Sequence, residues 1–330
     1  MPARTWLAAT SVVTCAILGS LFGACKSHPA EPASNREAAA PHASMGYVTD
    51  SGLIMLPVVE IPSDAGPIST AIPVAISKIE GVINPRHLPP YAGPKGTVEG
   101  TIRVTGDAPF KRTITIPFEC GEAYATYGKA FREGNDRTLA DAMVAVTGYE
   151  GYIPAAGDAY PVSIHGCAYD RRTLVLTYGQ RIEVTNRDSK SFLPTLEGSR
   201  SPAQLVAMPK GDAVKLYALE VGHYALTEGT KGSGWMYADV FVLQYSTHAV
   251  TGLDGRYRIA GIPAGKVKLS VYLPSIDAEL HPDTGVQASS LEREVEIKDG
   301  ETTKLDIEFP YKVPKAPLKP KPVSTVPIIK

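Results

Sequence analysis

Thr251-Gly252-Leu253-Asp254-Gly255-Arg256-Tyr257-Arg258-Ile259-Ala260-Gly261-Ile262-Pro263-Ala264-Gly265-Lys266-Val267-Lys268-Leu269 is the stretch whose pattern sets the fold class. Asp254-Gly255 is a tight-turn dipeptide, and the alternation after it has the period of a strand. Tyr257 and Ile259 point one way, and Pro263-Ala264-Gly265 makes the next turn. Val267, Leu269 and Val271 form the return strand, and Val295, Ile297, Leu305, Ile307 and Phe309 close the sheet. A compact β unit over 247–310 is expected. From Pro310 the chain carries six Pro, five Lys and no acid, which predicts a solvated tail over 311–330 leaning to polyproline II.

Upstream, the same period recurs. Thr97 to Thr105 puts Val98, Gly100, Ile102 and Val104 on one face. Arg112 to Ile116 repeats the pattern, and Met143 to Val146 reads as a buried strand. Thr173 to Thr177, Arg181 to Asn186, Ala213 to Ala218, Gly222 to Thr227 and Tyr237 to Gln244 follow, separated by turn residues. Ala123, Tyr127, Ala130 and Phe131 allow one or two helical turns between Cys120 and Glu133. The expected fold class is all-β, with a sandwich or barrel over 96–246 and a second β unit over 247–310. Ahead of them, residues 46–95 hold apolar clusters broken by Pro57, Pro62, Pro67, Pro73, Pro85, Pro89 and Pro90, read as an extended segment laid against the body with one short helix around Ala75 to Ile79.

The chain has 330 residues, 44% of them hydrophobic, so sizeable cores can be buried. Charged residues are 20% and the formal net charge is -1, which argues against nucleic acid as the main partner. At the start, Arg4 precedes an apolar run from Trp6 to Phe22, the length of a signal h-region and short of a membrane span. Residues 26 to about 45 are mostly Ala, Pro, Glu, Ser and His and read as a tether.

Phe22-Gly23-Ala24-Cys25, followed by polar Lys26, Ser27 and His28, resembles the lipobox of bacterial lipoproteins. The resemblance implies removal of residues 1–24, acylation of Cys25 and a lipid-held tether over 25–95. Several acyl chains on one Cys give stable anchoring, where one would be marginal. Phe22 stands where the family usually has Leu; an ordinary signal peptide with a chance Cys is the alternative. Lys26, rather than Asp, after the Cys resembles the pattern of outer-membrane sorting. Cys15 would leave with the signal, so Cys120 and Cys167 remain in an oxidising compartment. They are expected to form a disulfide, the alternative being two separate buried thiols.

The phrase from Thr251 resembles the carboxypeptidase regulatory-like domain, a transthyretin-like sandwich without peptidase chemistry. Gly96-Thr97-Val98-Glu99-Gly100-Thr101-Ile102, Gly166-Cys167-Ala168-Tyr169, the run from Gly179 to Asp188, and Trp235-Met236 resemble, in order, segments of plastocyanin-like (cupredoxin) proteins. That resemblance would place copper ligands at Phe192, Thr230, Ser233 and Met236. Copper in such a site wants two imidazoles, a thiolate and a weak thioether. Only Met236 is of a ligating kind, so the resemblance implies a scaffold without its metal and no cofactor.

Other chemistry leaves faint traces. The seven His show no His-x-His, His-x-x-x-His or His-Glu-x-x-His spacing. Gly229-Thr230-Lys231-Gly232-Ser233-Gly234 lacks the phosphate-loop pattern, and Ser233 lacks a Gly-x-Ser-x-Gly elbow. Asp239, beside Trp235 and Tyr237, is the one acid singled out. Tyr149, Tyr152, Tyr160, Tyr237 and Tyr245 could form a glycan or protein contact, or simply line a sheet rim. The expectation is a non-enzymatic envelope lipoprotein, on the outer membrane, binding an envelope protein or polysaccharide. The alternative is a periplasmic copper-binding or electron-transfer protein with non-standard ligands.

Overall fold

A computed structural model describes residues 69–230, 234–273 and 289–313. The signal segment, Cys25, most of the tether, Ser233 and the tail from residue 314 lie outside the described residues. The body is all-β: sixteen described strands, two short α-helices and a single 3-10 turn at Asn135–Arg137. In chain order they are α1 (Ile76–Ile83), β1 (Lys95–Gly106), α2 (Gly121–Tyr127), β2 (Met143–Thr147), β3 (Ala159–His165) and β4 (Ala168–Tyr169). Next come β5 (Thr173–Thr177), β6 (Arg181–Asn186), β7 (Pro194–Glu197), β8 (Val214–Tyr217), β9 (Gly222–Glu228) and β10 (Tyr237–Leu243). β11 (His248–Val250), β12 (Arg256–Pro263), β13 (Gly265–Leu273), β14 (Ser289–Ile297), β15 (Thr302–Lys304) and β16 (Ile307–Tyr311) complete the set.

The first sandwich joins sheet β4-β3-β6-β8 to sheet β5-β10-β9-β7. β3 and β6 run parallel, as do β5 and β10. One core fills it, including Val162, Ile164, Leu174, Leu176, Ile182, Val184, Leu216, Leu226, Val240 and Val242. β6 alternates as its sequence says, with Ile182 and Val184 buried between half-buried neighbours. All five residues of β5 are buried, and β10 is buried along nearly its whole length. Such strands read as continuous apolar runs because both faces are covered. β3 is not apparent in the sequence, since Pro161 interrupts its apolar run.

The second sandwich corrects the expected boundary at 246/247. β1 is its central strand, antiparallel to β12 and parallel to β15 and β16. β2 lies between β11 and β13 in the opposing sheet, which β14 closes. Val98, Ile102, Val104, Val144 and Val146 therefore share a core with Tyr257, Ile259, Leu269, Ile307 and Phe309. The strands of the first sandwich, 159–243, are inserted between β2 and β11. Gly96–Ile102, likened to a cupredoxin opening strand, belongs to the other sandwich. Alternation reveals that a strand is half buried; it does not name the sheet that buries it. Gly100 shows the tightness of this pairing, because a Cβ there would lie 1.9 Å from the Leu305 carbonyl oxygen.

Arg112 to Ile116 is not a strand, although Ile114 and Ile116 pack on the first core. The segment from 107 to 141 crosses both units. Ala123 and Tyr127 of α2 enter the first core, while Ala130 and Phe131 enter the second. Residues 69–94 lie on the body as a strap. Thr70 is fully buried: its N–H donates to the Ser201 carbonyl, its carbonyl accepts from Tyr217 N–H and its hydroxyl accepts from Ala203 N–H. α1 covers the expected short helix and runs a turn further, packing Ile79, Val82 and Ile83 on the first core. A third cluster, Met143, Val175 and Phe241 with Leu243, Val250 and Tyr272, seals the seam between the sandwiches.

Candidate functional site

The end of the first sandwich where β6 stops holds the positions of interest. Asn186 ends β6 as a buried side chain: its amide donates to the Lys190 and Ala207 carbonyls, both at 2.8 Å, and its oxygen accepts from Asp188 N–H. This closes the turn 186–190. Phe192 follows, 2% exposed, its backbone paired with Ala207. The Lys190 ammonium sits 5.2 Å from the centre of the Phe192 ring and 3.7 Å from Cys120 Sγ. Cys120 and Cys167 are disulfide-bonded, as expected. The Asp188 carboxylate accepts the N–H groups of Gly166 and Cys167, both at 2.8 Å.

Glu228, the last residue of β9, is a feature that no motif announced. It is 6% exposed and accepts N–H bonds from Leu193 and Thr230 at 3.0 Å, together with the Thr230 hydroxyl. Its charge thus pins the start of the Gly-rich loop to the segment after Phe192. Met236 is 1% exposed and Trp235 8% exposed, both within the first core.

These residues do not fit copper of the blue type. Phe192 offers a ring, Thr230 a hydroxyl already committed to Glu228, and Met236 a single thioether; a Lys ammonium stands over the ring. A trigonal site needs imidazole nitrogen and thiolate, and neither stands at these three positions. Among the described residues no group of three or more His, Cys, Asp and Glu gathers to hold a metal.

Asp239 lies elsewhere, on the seam face of β10, 2% exposed, with its carboxylate 2.9 Å from His223 Nε2. The His223 ring stacks on Phe241 at 4.5 Å. Deeper in, Arg172 is buried among the Lys129 and Ala130 carbonyls and the Tyr237 hydroxyl, at 2.8–3.2 Å. Burial alone would lower this guanidinium, but Tyr237 and Asp141 outweigh it and its pKa is raised. Asp141 accepts a two-pronged bond from Arg132 at 2.5 and 2.6 Å. Arg172 ties the crossing segment to β10, a role that only the assembled fold reveals.

The tyrosines do not form one surface. Tyr149 and Tyr245 meet edge to face at 5.0 Å, with the Thr247 hydroxyl donating to Tyr149. Tyr160 instead carries the Arg171 guanidinium at 5.3 Å, and Tyr237 is buried against Tyr127.

Fold and site together define an all-β protein of two interleaved sandwiches. No family model matches the chain, and no curated protein matches it. Solved structures of amicyanin do. A reduced mutant matches with a TM-score of 0.24 and 22% identity, over 27% of this chain and 85% of that one. Another reduced mutant matches with a TM-score of 0.22 and 24% identity, over 26% of this chain and 81% of that one. A reduced Cu(I) mutant at pH 4 matches with a TM-score of 0.24 and 19% identity, over 30% of this chain and 97% of that one.

Proposed function

We propose that this chain is a non-catalytic cell-envelope lipoprotein, acylated on Cys25, whose body binds a protein or a glycan. Its first sandwich is a cupredoxin-like scaffold without copper, and its second is of the carboxypeptidase regulatory-like kind. One observation carries the reading. The end where copper ligands would stand is closed by side chains already committed to one another: Thr230 to Glu228, and Lys190 to Phe192 and Cys120. The lipobox-like run before Cys25 supports the anchor, and Lys26 supports the outer membrane. A copper-binding or electron-transfer protein is the second reading, favoured by Met236, buried where the resemblance places a thioether ligand.

The test is the intact mass of the protein extracted from membranes. The proposal expects a chain starting at Cys25 and carrying fatty acyl mass. A mature chain beginning elsewhere without acyl groups overturns it.

A further inference from the structure

We propose that the Cys120–Cys167 disulfide is polarised for thiol exchange, with Cys167 the sulfur attacked and Cys120 the leaving thiolate. The surroundings of the two sulfurs differ in charge. Lys190 Nζ lies 3.7 Å from Cys120 Sγ, held over the Phe192 ring. The Asp188 carboxylate, by contrast, accepts the Cys167 backbone N–H at 2.8 Å. A thiolate forming on Cys120 has a cation at its sulfur, whereas the charged group bonded at the Cys167 backbone is an anion. A thiol that leaves more readily as thiolate directs attack to its partner.

The co-reactant is a dithiol reductant. Its thiolate attacks Cys167 Sγ, forming a mixed disulfide as the Cys167–Cys120 bond breaks. The electron pair leaves on Cys120 Sγ beside the Lys190 ammonium. The reductant's second thiol, losing its proton, then attacks its own mixed-disulfide sulfur, and Cys167 leaves as thiolate and takes up that proton. The reductant ends as a cyclic disulfide and the chain as two reduced cysteines. Opening the bond removes the covalent tie between α2 and the β3–β4 hairpin, 47 residues apart in sequence, and leaves the Ala123 N–H to Gly166 carbonyl bond to hold them. Nothing in this depends on what the sandwich faces bind.

The test uses the protein as extracted from membranes, with any free thiol alkylated beforehand. Brief exposure to glutathione, acid quenching and peptide mass spectrometry locate the mixed disulfide. The proposal expects it on Cys167. With dithiothreitol, Lys190→Met should slow reduction about fivefold, the worth of one nearby, partly solvated charge, while Lys190→Arg stays close to the parent rate. Lys190 is exposed, so both variants should fold, and near-ultraviolet dichroism checks this. An adduct on Cys120, equal adducts on both, or an unchanged rate in Lys190→Met overturns the proposal.

Discussion

Glu228 holds two backbone N–H groups and a hydroxyl with one buried carboxylate, so its charge and its acceptors act together. In Glu228→Gln an amide NH2 would face donors it cannot accept from. Stability should fall by about 2 kcal/mol, read as a lower urea midpoint with an unchanged slope. His248 makes a second residue-scale prediction. It reaches across the seam to the Thr177 hydroxyl at 3.3 Å, and burial lowers its pKa from 6.5 to about 4. The folded state therefore resists a proton that the unfolded chain takes up below about pH 6.5. The contribution of this group is complete above that pH and is lost as pH falls towards about 4. For a half-buried ring the loss is about 2 kcal/mol. His248→Gln should flatten the urea midpoint between pH 7 and pH 4 by that amount; a parent profile already flat would refute the assignment.

Among the elements, β1 and the segment after it decide how the two sandwiches interlock. β1 has its neighbours more than 150 residues away along the chain, at β12, β15 and β16, as its registers with residues 256–263 and 302–311 show. At Gly100 the Leu305 carbonyl leaves no room for a Cβ. Gly100→Ala should lower stability by at least about 2 kcal/mol, because backbone on both sides must move. Gly81 in α1 is a control, since nothing lies within 4 Å of the Cβ it would gain. Gly81→Ala should be neutral or stabilise by up to about 1 kcal/mol. Thermal unfolding of the pair checks both signs. These elements also mark what the sequence could tell. The alternation of Val98, Ile102 and Val104 announced a half-buried strand correctly, yet placed it in the wrong sandwich, since pairing partners leave no local trace. Arg112 to Ile116 shows the converse: Ile114 and Ile116 are packed as the pattern asked, but no strand runs alongside. β3 was hidden by Pro161, whereas the strap and its short helix were legible from the apolar clusters and the prolines that break them.

At the scale of the whole molecule, one sandwich is inserted into another; Arg172 and the disulfide tie the crossing segment to the first sandwich, and the seam around Phe241 packs the two sandwiches together. Positions read in the sequence as lost ligands, Phe192, Thr230 and Met236, lie at or next to the end of the first sandwich. What the sequence could not supply is what took their place, because Glu228, Lys190 and Asn186 become partners only through the fold. The account therefore rests on those side chains being spoken for by one another rather than by a metal. Loading the folded protein with copper, removing free ion by gel filtration, and measuring bound copper beside the visible spectrum tests this most directly. Copper well below one equivalent and a colourless protein are the expected result. One tightly held copper per chain with a strong visible band would contradict the account.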